Sequence, residues 1–375
     1  MRICLYTATA LPKLGGQEAV VDALARHFTQ LGHRAVVLVQ NPRAPLRPND
    51  SQLPYPVVRH PRFISTRRFV GLYKRWLLKL HVRERFDVIH CHDVYPTGYL
   101  AALCKRELGI PVVITSHGGD VKEGNVRIVK RGMRPRFIRA VESADALISI
   151  GNFTEEGYRK LSDRLPPIVS IPNGIDLSPY ESPVDQPDSF AHIESDSYIL
   201  FLGRLAKRKG VDVLIDAMAK LPGARCVIAG TGDERSSLQS QINRLNLSDR
   251  VELVGRVDGA DKIWLLQNAR CVAMPTRVWE AFPLVLIEAF AAGKPVVGSA
   301  VPGIADLIED GKTGRLVPQE SAGDLASALR DFIDDRALAQ QMGEQGRLFA
   351  QRYAWENIAQ QHLSLYQSLM KAPII

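Results

Sequence analysis

Short apolar runs alternate with amphipathic stretches along almost the whole of this 375-residue chain, and they do so in two series. The first begins with "RICLYT", a strand pattern. It continues with "QEAVVDALARHFTQLG", a helix pattern with Gly32 as its stop, and "RAVVLV", a second strand; "FDVIHC", "PVVITS", "ADALISI" and "PIVSI" follow. Near-continuous apolar strands separated by helices are the signature of a parallel sheet covered on both faces. Residues 176–197, "DLSPYESPVDQPDSFAHIESDS", are rich in Pro, Ser and Asp, lack periodicity and read as a linker. A second series then runs through "YILFLG", "RCVIAG", "RVELVG", "ARCVAMP", "PVVGS" and "GRLVP". The expected fold class is α/β: two Rossmann-like, doubly wound domains, 1–175 and 198–353, facing a cleft. In open sheets of this kind ligands bind beyond the strand C-termini, which makes that cleft the default site.

Composition narrows the class. A hydrophobic content of 46% with 23% charged residues describes a globular protein. No apolar run approaches the roughly 18 residues needed to span a bilayer, and "MRICLYTATALP" is too short in its apolar part for a signal peptide, so a cytosolic location is expected. Cys4, Cys91, Cys104, Cys226 and Cys271 form no CxxC pair and sit in apolar segments, as reduced buried thiols do. The net charge of +8 is unevenly shared: residues 1–190 hold 27 Lys and Arg against 18 Asp and Glu, so all of the excess lies there. Such asymmetry suggests that this half faces an anionic partner.

The stretch "EAFPLVLIEA" (280–289) places two acids in an apolar run. Proline is tolerated in the first turn of a helix and not in its interior, so the helix is expected to begin at Pro283. Glu280 then precedes the helix and Glu288 lies on its second turn. Acids so spaced could grip both ends of a ligand whose anionic middle rests on the free amides; an acid before a helix also serves as a plain cap. In "GRLAKRKG", Arg204, Lys207, Arg208 and Lys209 occupy a strand-to-helix turn, either as a phosphate clamp or as a solvated basic turn. Gly230 and Gly232 of "AGTGDER" would let backbone approach a ligand.

In the first half, Gly15 and Gly16 stand just before a helix, where phosphate could approach. "VVITSHGGD" ends a strand in His117 and Asp120 at the edge where ligands bind, and "VIHCHD" offers His90, His92 and Asp93. His90 and His92 share a strand face, but no third ligand stands at a standard metal spacing.

In this order the "GG" loop, "SHGGD", "IPNGID", "GRLAKRKG", "AGTGDE" and the long run from "MPTRVWEAFPLVLIEAF" to "GKTGRLVP" resemble the retaining glycosyltransferases of GT-B fold, in particular family 4 with its E-x7-E signature. The resemblance covers nearly the whole chain. It implies that Arg204 and Lys209 hold the diphosphate of a nucleotide-sugar donor and that Glu288 accepts hydrogen bonds from the ribose. Glu280 would contact hydroxyls of the transferred sugar, helped by backbone around Phe282, Pro283 and Leu284, with both acids clear of the diphosphate. It assigns donor approach also to Gly15, Gly16, Gly230 and Gly232, a catalytic part to His117, and acceptor or sugar contacts to His92, Asp120 and Asn173. Residues 354–375 would cross back onto the first domain. Many members carry glycine where Pro283 stands, so the donor sugar does not carry over. No D-x-D triplet is present outside the linker's "ESD", and no metal or other cofactor is expected. The implied reaction is transfer of a hexose-type sugar from a UDP- or GDP-sugar to a lipid-linked or glycan hydroxyl, by front-face attack with retention. A sugar-nucleotide epimerase or hydrolase, or a non-catalytic scaffold that binds nucleotide-sugar, would share these motifs.

The basic excess concentrates in segments 62–86 and 122–139. In the first, Phe69, Tyr73, Trp76, Leu77 and Leu80 fall at helical spacing, with Lys74, Arg75, Lys79 and Arg83 largely elsewhere. That pattern fits a helix lying on an anionic leaflet, which would attach the protein to the cytoplasmic face of a membrane. It equally fits a core helix with a solvated basic face. No nucleic-acid motif is present, and nucleic acid is not an expected partner.

Overall fold

The computed structural model describes residues 1–371 apart from 14, 43–47, 63–69, 123, 126, 127 and 129–131. The chain divides into two compact units, 1–174 with 355–375, and 175–354.

In the first unit seven parallel strands are ordered β3-β2-β1-β4-β5-β6-β7: β1 Arg2–Thr7, β2 Arg34–Gln40, β3 Val57–His60, β4 Val88–Cys91, β5 Val112–Thr115, β6 Ala146–Ser149 and β7 Ile168–Ser170. Helix α1 (Gly16–Gln30) shows why the sequence folds this way. Val20, Val21, Leu24, Ala25 and Phe28 share one face and are buried in the same cluster as Ile3 and Leu5 of β1. Removing such side chains from water contributes about 1.5–3 kcal/mol each. The helix ends at Leu31, and Gly32 follows at φ +79°, a left-handed conformation that glycine adopts without strain. Residues Trp355–Lys371 form a helix on the same face, burying Trp355, Ile358, Leu363 and Tyr366 beside Phe28.

Helix α2 (Val70–Glu84) resolves one of the two readings of the basic segment. Tyr73, Leu77 and Leu80 are buried in the cluster that covers the other sheet face, with Trp76 packed against it, so this apolar stripe is core and not a membrane-facing surface. Arg75, Lys79 and Arg83 remain exposed, together with Leu72 and Val82; Phe69 lies outside the described residues. In the second basic segment, helix α4 (Arg134–Ser143), which follows α3 (Tyr99–Leu108), buries Phe137 and leaves Arg134 and Arg139 exposed. Among the described residues no helix is long and apolar enough to cross a membrane.

In the second unit six parallel strands are ordered β10-β9-β8-β11-β12-β13, with β8 Tyr198–Leu202, β9 Arg225–Ala229, β10 Val251–Gly255, β11 Cys271–Met274, β12 Val296–Ser299 and β13 Gly314–Val317. All of the pairings are parallel. The stretch read as a linker belongs to this unit and packs on it. Tyr180, Phe190 and Ile193 are buried in its core, with Phe190 stacked on Trp264 at 5.9 Å. Short 3-10 turns space these three residues irregularly, so no period announced them. The five cysteines are free and buried.

Candidate functional site

Strand order in the second sheet reverses between β8 and β11, and the loops leaving these two strands lie together at the C-terminal edge. Backbone joins them: the Arg277 amide donates to the Arg208 carbonyl at 2.9 Å. A Cβ on Gly210, which sits at φ +66°, would stand 1.9 Å from the Pro275 carbonyl oxygen. Arg277 locks the pair from the side. Its guanidinium forks onto both oxygens of Asp212 at 2.7 Å, donates to Glu320 at 2.7 Å and reaches the Lys207 carbonyl at 2.8 Å. Burial opposes ionisation of Asp212, but the hydrogen bonds and charge of Arg277 and the backbone amides together outweigh it and lower the pKa.

This brace brings Glu280 onto the basic turn. Its Oε1 accepts from Lys209 Nζ at 2.7 Å and from Arg208 Nη1 at 2.9 Å. The Glu280 backbone is fixed by the loop after β12: its amide donates to the Pro302 carbonyl at 3.0 Å, and a Cβ on Gly303 (φ +86°) would lie 1.7 Å from the Glu280 carbonyl oxygen. Glu280 and the cations of the basic turn thus form one cluster, while Glu288 stands apart from it on the helix. Opposite charges on adjoining loops close on each other. Arg204 is exposed, and its contact with Asp233 is a long 3.8 Å.

Pro283 is the residue before the helix, extended at φ −78° and ψ 92°, and α9 runs from Leu284 to Ala291, one residue later than expected. Pro283 is buried; Leu284 and Phe282 are half-buried, and the Phe282 ring packs on Tyr353 at 5.6 Å. Glu288 falls on the second turn, where Oε1 accepts from Lys262 Nζ at 2.8 Å. Lys262, on α8 (Gly259–Asn268), carried no sequence signal because its partner is distant in the chain. Gly230 and Gly232 each have a packing reason to lack a side chain. Their would-be Cβ atoms lie 1.8 Å from the Gly203 and 2.1 Å from the Leu205 carbonyl oxygen, so close approach of the neighbouring loop accounts for both.

The first sheet reverses between β1 and β4, and its candidates gather at the C-terminal ends of β1, β4 and β5. Gln17, on the first turn of α1, donates to the Thr7 hydroxyl and the His92 carbonyl, both at 3.0 Å, and Asp93 accepts from the Ala8 amide at 2.8 Å. Gly15 leaves space for the Glu18 carboxylate, whose Oε2 would lie 2.4 Å from a Cβ there, whereas a Cβ on Gly16 would meet nothing within 4 Å. Glu18 is itself buried and pairs with Lys13 at 2.7 Å. Burial raises its pKa, yet hydrogen bonds from Lys13, Thr9 and backbone together with the Lys13 charge more than compensate, and the net shift is downward. Sequence reasoning missed it, since an acid in a first helical turn is usually a solvated charge.

His117 is partly exposed and stacks on His92, with ring centroids 5.4 Å apart and planes 16° from parallel; its Nε2 lies 3.2 Å from His92 Nδ1. Burial drives the His117 pKa down to about 4, against the attraction of Glu18. His92 is fully buried and shifted well below the usual histidine range, again by burial. His90 lies 4.2 Å from the His92 ring and spends both nitrogens on the protein, at 2.7 Å from the Thr115 and Tyr366 hydroxyls. Asp120 accepts from the Val94 amide and the Ser116 hydroxyl, holding the turn that carries His117. Asn173 is buried three residues past β7. Among the described residues no group of three His, Cys, Asp or Glu side chains is placed to hold a metal ion.

Two parallel doubly wound sheets, each with polar side chains at its switch-point edge, define the class to which known proteins can be compared. The profile of Glycosyltransferase Family 4 matches residues 14–179 and that of Glycosyl transferases group 1 matches residues 185–349. A phosphatidyl-myo-inositol mannosyltransferase of Mycolicibacterium smegmatis is 28% identical over 388 residues, covering 100% of this chain and 95% of the relative. An uncharacterized glycosyltransferase of Methanocaldococcus jannaschii is 27% identical over 389 residues, covering 99% of both. Among solved structures, Anabaena HepE in complex with UDP superposes with a TM-score of 0.82 at 23% identity, covering 98% of this chain and 100% of that one. Sucrose-phosphate synthase from Thermosynechococcus elongatus gives 0.75 at 25%, covering 98% and 99%. The chain belongs to the family 4 glycosyltransferases and has the GT-B fold.

Proposed function

We propose that this glycosyltransferase moves a hexose-type sugar from a UDP- or GDP-sugar to a hydroxyl of a lipid-linked or glycan acceptor, with retention at the anomeric carbon. The observation that carries the proposal is the cluster of Glu280, Lys209 and Arg208, with Lys209 Nζ and Arg208 Nη1 at 2.7 and 2.9 Å from one carboxylate oxygen. A diphosphate entering beside the basic turn competes for both cations and releases Glu280 to accept from sugar hydroxyls. Arg204, exposed and weakly engaged, forks onto phosphate, and the first amides of α9 add donors that the helix itself does not use. Glu288 takes the ribose. These donors make a bound divalent ion unnecessary for holding the diphosphate. The first unit's edge, with Gly16 and His117, is assigned to the acceptor and the transferred sugar.

In the chemical step the acceptor oxygen bonds to the anomeric carbon while the bond from that carbon to the phosphate oxygen breaks. The acceptor proton passes to the departing diphosphate. HepE has been solved with UDP-glucose, and the mycobacterial relative is a phosphatidyl-myo-inositol mannosyltransferase, which supports a nucleotide-sugar donor and keeps an anionic lipid acceptor in view. The exposed Arg75, Lys79 and Arg83 suit peripheral attachment at the cytoplasmic face of a membrane.

The test is a screen of UDP- and GDP-sugars against lipid and glycan acceptors, with the anomeric configuration of the product read by NMR. Acceptor-dependent transfer with retention is expected. Nucleotide release at the same rate without acceptor would instead make the protein a hydrolase, and inversion would remove the front-face step.

A further inference from the structure

We infer that His92 is a positioning residue that holds His117 in the Nδ1–H tautomer, so that His117 meets its ligand as a hydrogen-bond donor and not as a base. The inference rests on the proposed transferase reading only in giving that ligand a role.

It starts from an imbalance at His92. The ring is 1% exposed; Nδ1 faces His117 Nε2 at 3.2 Å, while Nε2 is buried with no hydrogen-bond partner. The neighbouring rings cannot help. His90 has both nitrogens committed to Thr115 and Tyr366, and His362 uses Nδ1 on the Ile358 carbonyl at 2.9 Å. A neutral imidazole carries one N–H and one bare nitrogen, so only two arrangements fit the contact.

If His117 donated to His92, the remaining proton of His92 would sit on Nε2 as an orphaned buried N–H. If His92 donates from Nδ1, its Nε2 is a bare lone pair, and His117 receives at Nε2 and must carry its own proton on Nδ1. Buried orphan donors are rarer than under-used acceptors, so the second arrangement wins. A doubly protonated His92 is excluded by the same burial, which holds its pKa well below the usual range. His117 Nδ1 has no hydrogen bond among the described residues and is available to an oxygen of the ligand. The charged or titratable groups that bear on His117 are His90, His92, Glu18 and His362.

The experiment is long-range proton–nitrogen correlation NMR at pH 7.5 on the full chain labelled with nitrogen-15 histidine. His117→Asn identifies the His117 signals. The expected result is a protonated Nδ1 and a bare Nε2 on His117. His92→Phe should move the proton towards Nε2, and His92→Asn, which keeps a donor near the Nδ1 position, should restore it. Transfer should follow, with kcat falling up to roughly tenfold in His92→Phe and recovering in His92→Asn at unchanged donor KM, the size expected for one neutral hydrogen bond. A proton on Nε2 of wild-type His117, or a His117 tautomer indifferent to His92→Phe, overturns the inference; the wild-type spectrum decides even where the Phe variant does not fold. A shifted tautomer with unchanged kcat removes the positioning role. Full turnover in His117→Asn would count against the transferase role of His117 and leave the tautomer result standing.

Discussion

Glu280 and Lys209, 71 residues apart in the chain, meet at 2.7 Å, and Arg208 closes on the same carboxylate oxygen. The pair makes donor binding an exchange of partners, and the two sides of it fail differently. Lys209→Ala removes a cation that phosphate would take over, so donor KM should rise. A charge-assisted hydrogen bond of about 1.5–3 kcal/mol corresponds to ~10- to 150-fold. Glu280→Gln leaves the cations free and removes a strong acceptor for sugar hydroxyls, so kcat should fall by a similar factor while UDP binds no more weakly. Steady-state kinetics with UDP titration calorimetry checks both.

Gly303 supports that carboxylate from behind. Alanine there would be strained at φ +86° and would place its Cβ 1.7 Å from the Glu280 carbonyl oxygen. Gly303→Ala should cost about 1–3 kcal/mol of stability and lower kcat, as measured by denaturant unfolding and turnover on the same preparation.

Gly16 offers the opposite contrast, with nothing within 4 Å of its would-be Cβ. Gly16→Ala should leave the unfolding midpoint unchanged or slightly higher, because alanine is the better helix residue by roughly 0.5–1 kcal/mol. Transfer should still decline if ligand comes up against this loop. Unchanged turnover would remove Gly16 from the site.

The histidines at the first unit's edge predict a pH dependence. His117 and His362 are both pushed down to about 4, chiefly by burial, and His90 and His92 are lowered further for the same cause. Between about pH 6.5 and 4 the unfolded chain binds protons that the native chain refuses, so native stability falls as pH falls, by about 1.4 kcal/mol per pH unit for each such group. Urea unfolding at pH 7.5 and 5.0 should show this loss, and His362→Phe should make it shallower. The window lies mostly above the range in which carboxylates such as Glu18 titrate.

Both sheets could be read from the chain because buried parallel strands are written as short apolar runs, and the positions of Glu280, Glu288, Lys209 and His117 at strand or helix ends follow from that reading. What the pattern could not show is pairing across distance. That Lys209 reaches Glu280, that Lys262 reaches Glu288 and that Arg277 pins Asp212 depend on which loops the topology brings together. A period also shows a stripe and not what covers it: Tyr73, Leu77 and Leu80 suited a leaflet as well as a core, and packing decided for the core. Gly230 and Gly232 were visible as glycines, but the carbonyls they accommodate belong to a different loop. Residues 176–197, read as a linker, also pack on the second unit, because three aromatic and aliphatic anchors in a Pro-rich stretch suffice to dock them.

The most direct measurement of the central claim is transfer from a panel of UDP- and GDP-sugars by wild type, Glu280→Ala and Lys209→Ala, each verified as folded by circular dichroism. The predicted result is acceptor-dependent sugar transfer by wild type, with kcat lost in the first variant and donor KM raised in the second. Wild-type turnover in both variants would contradict the account.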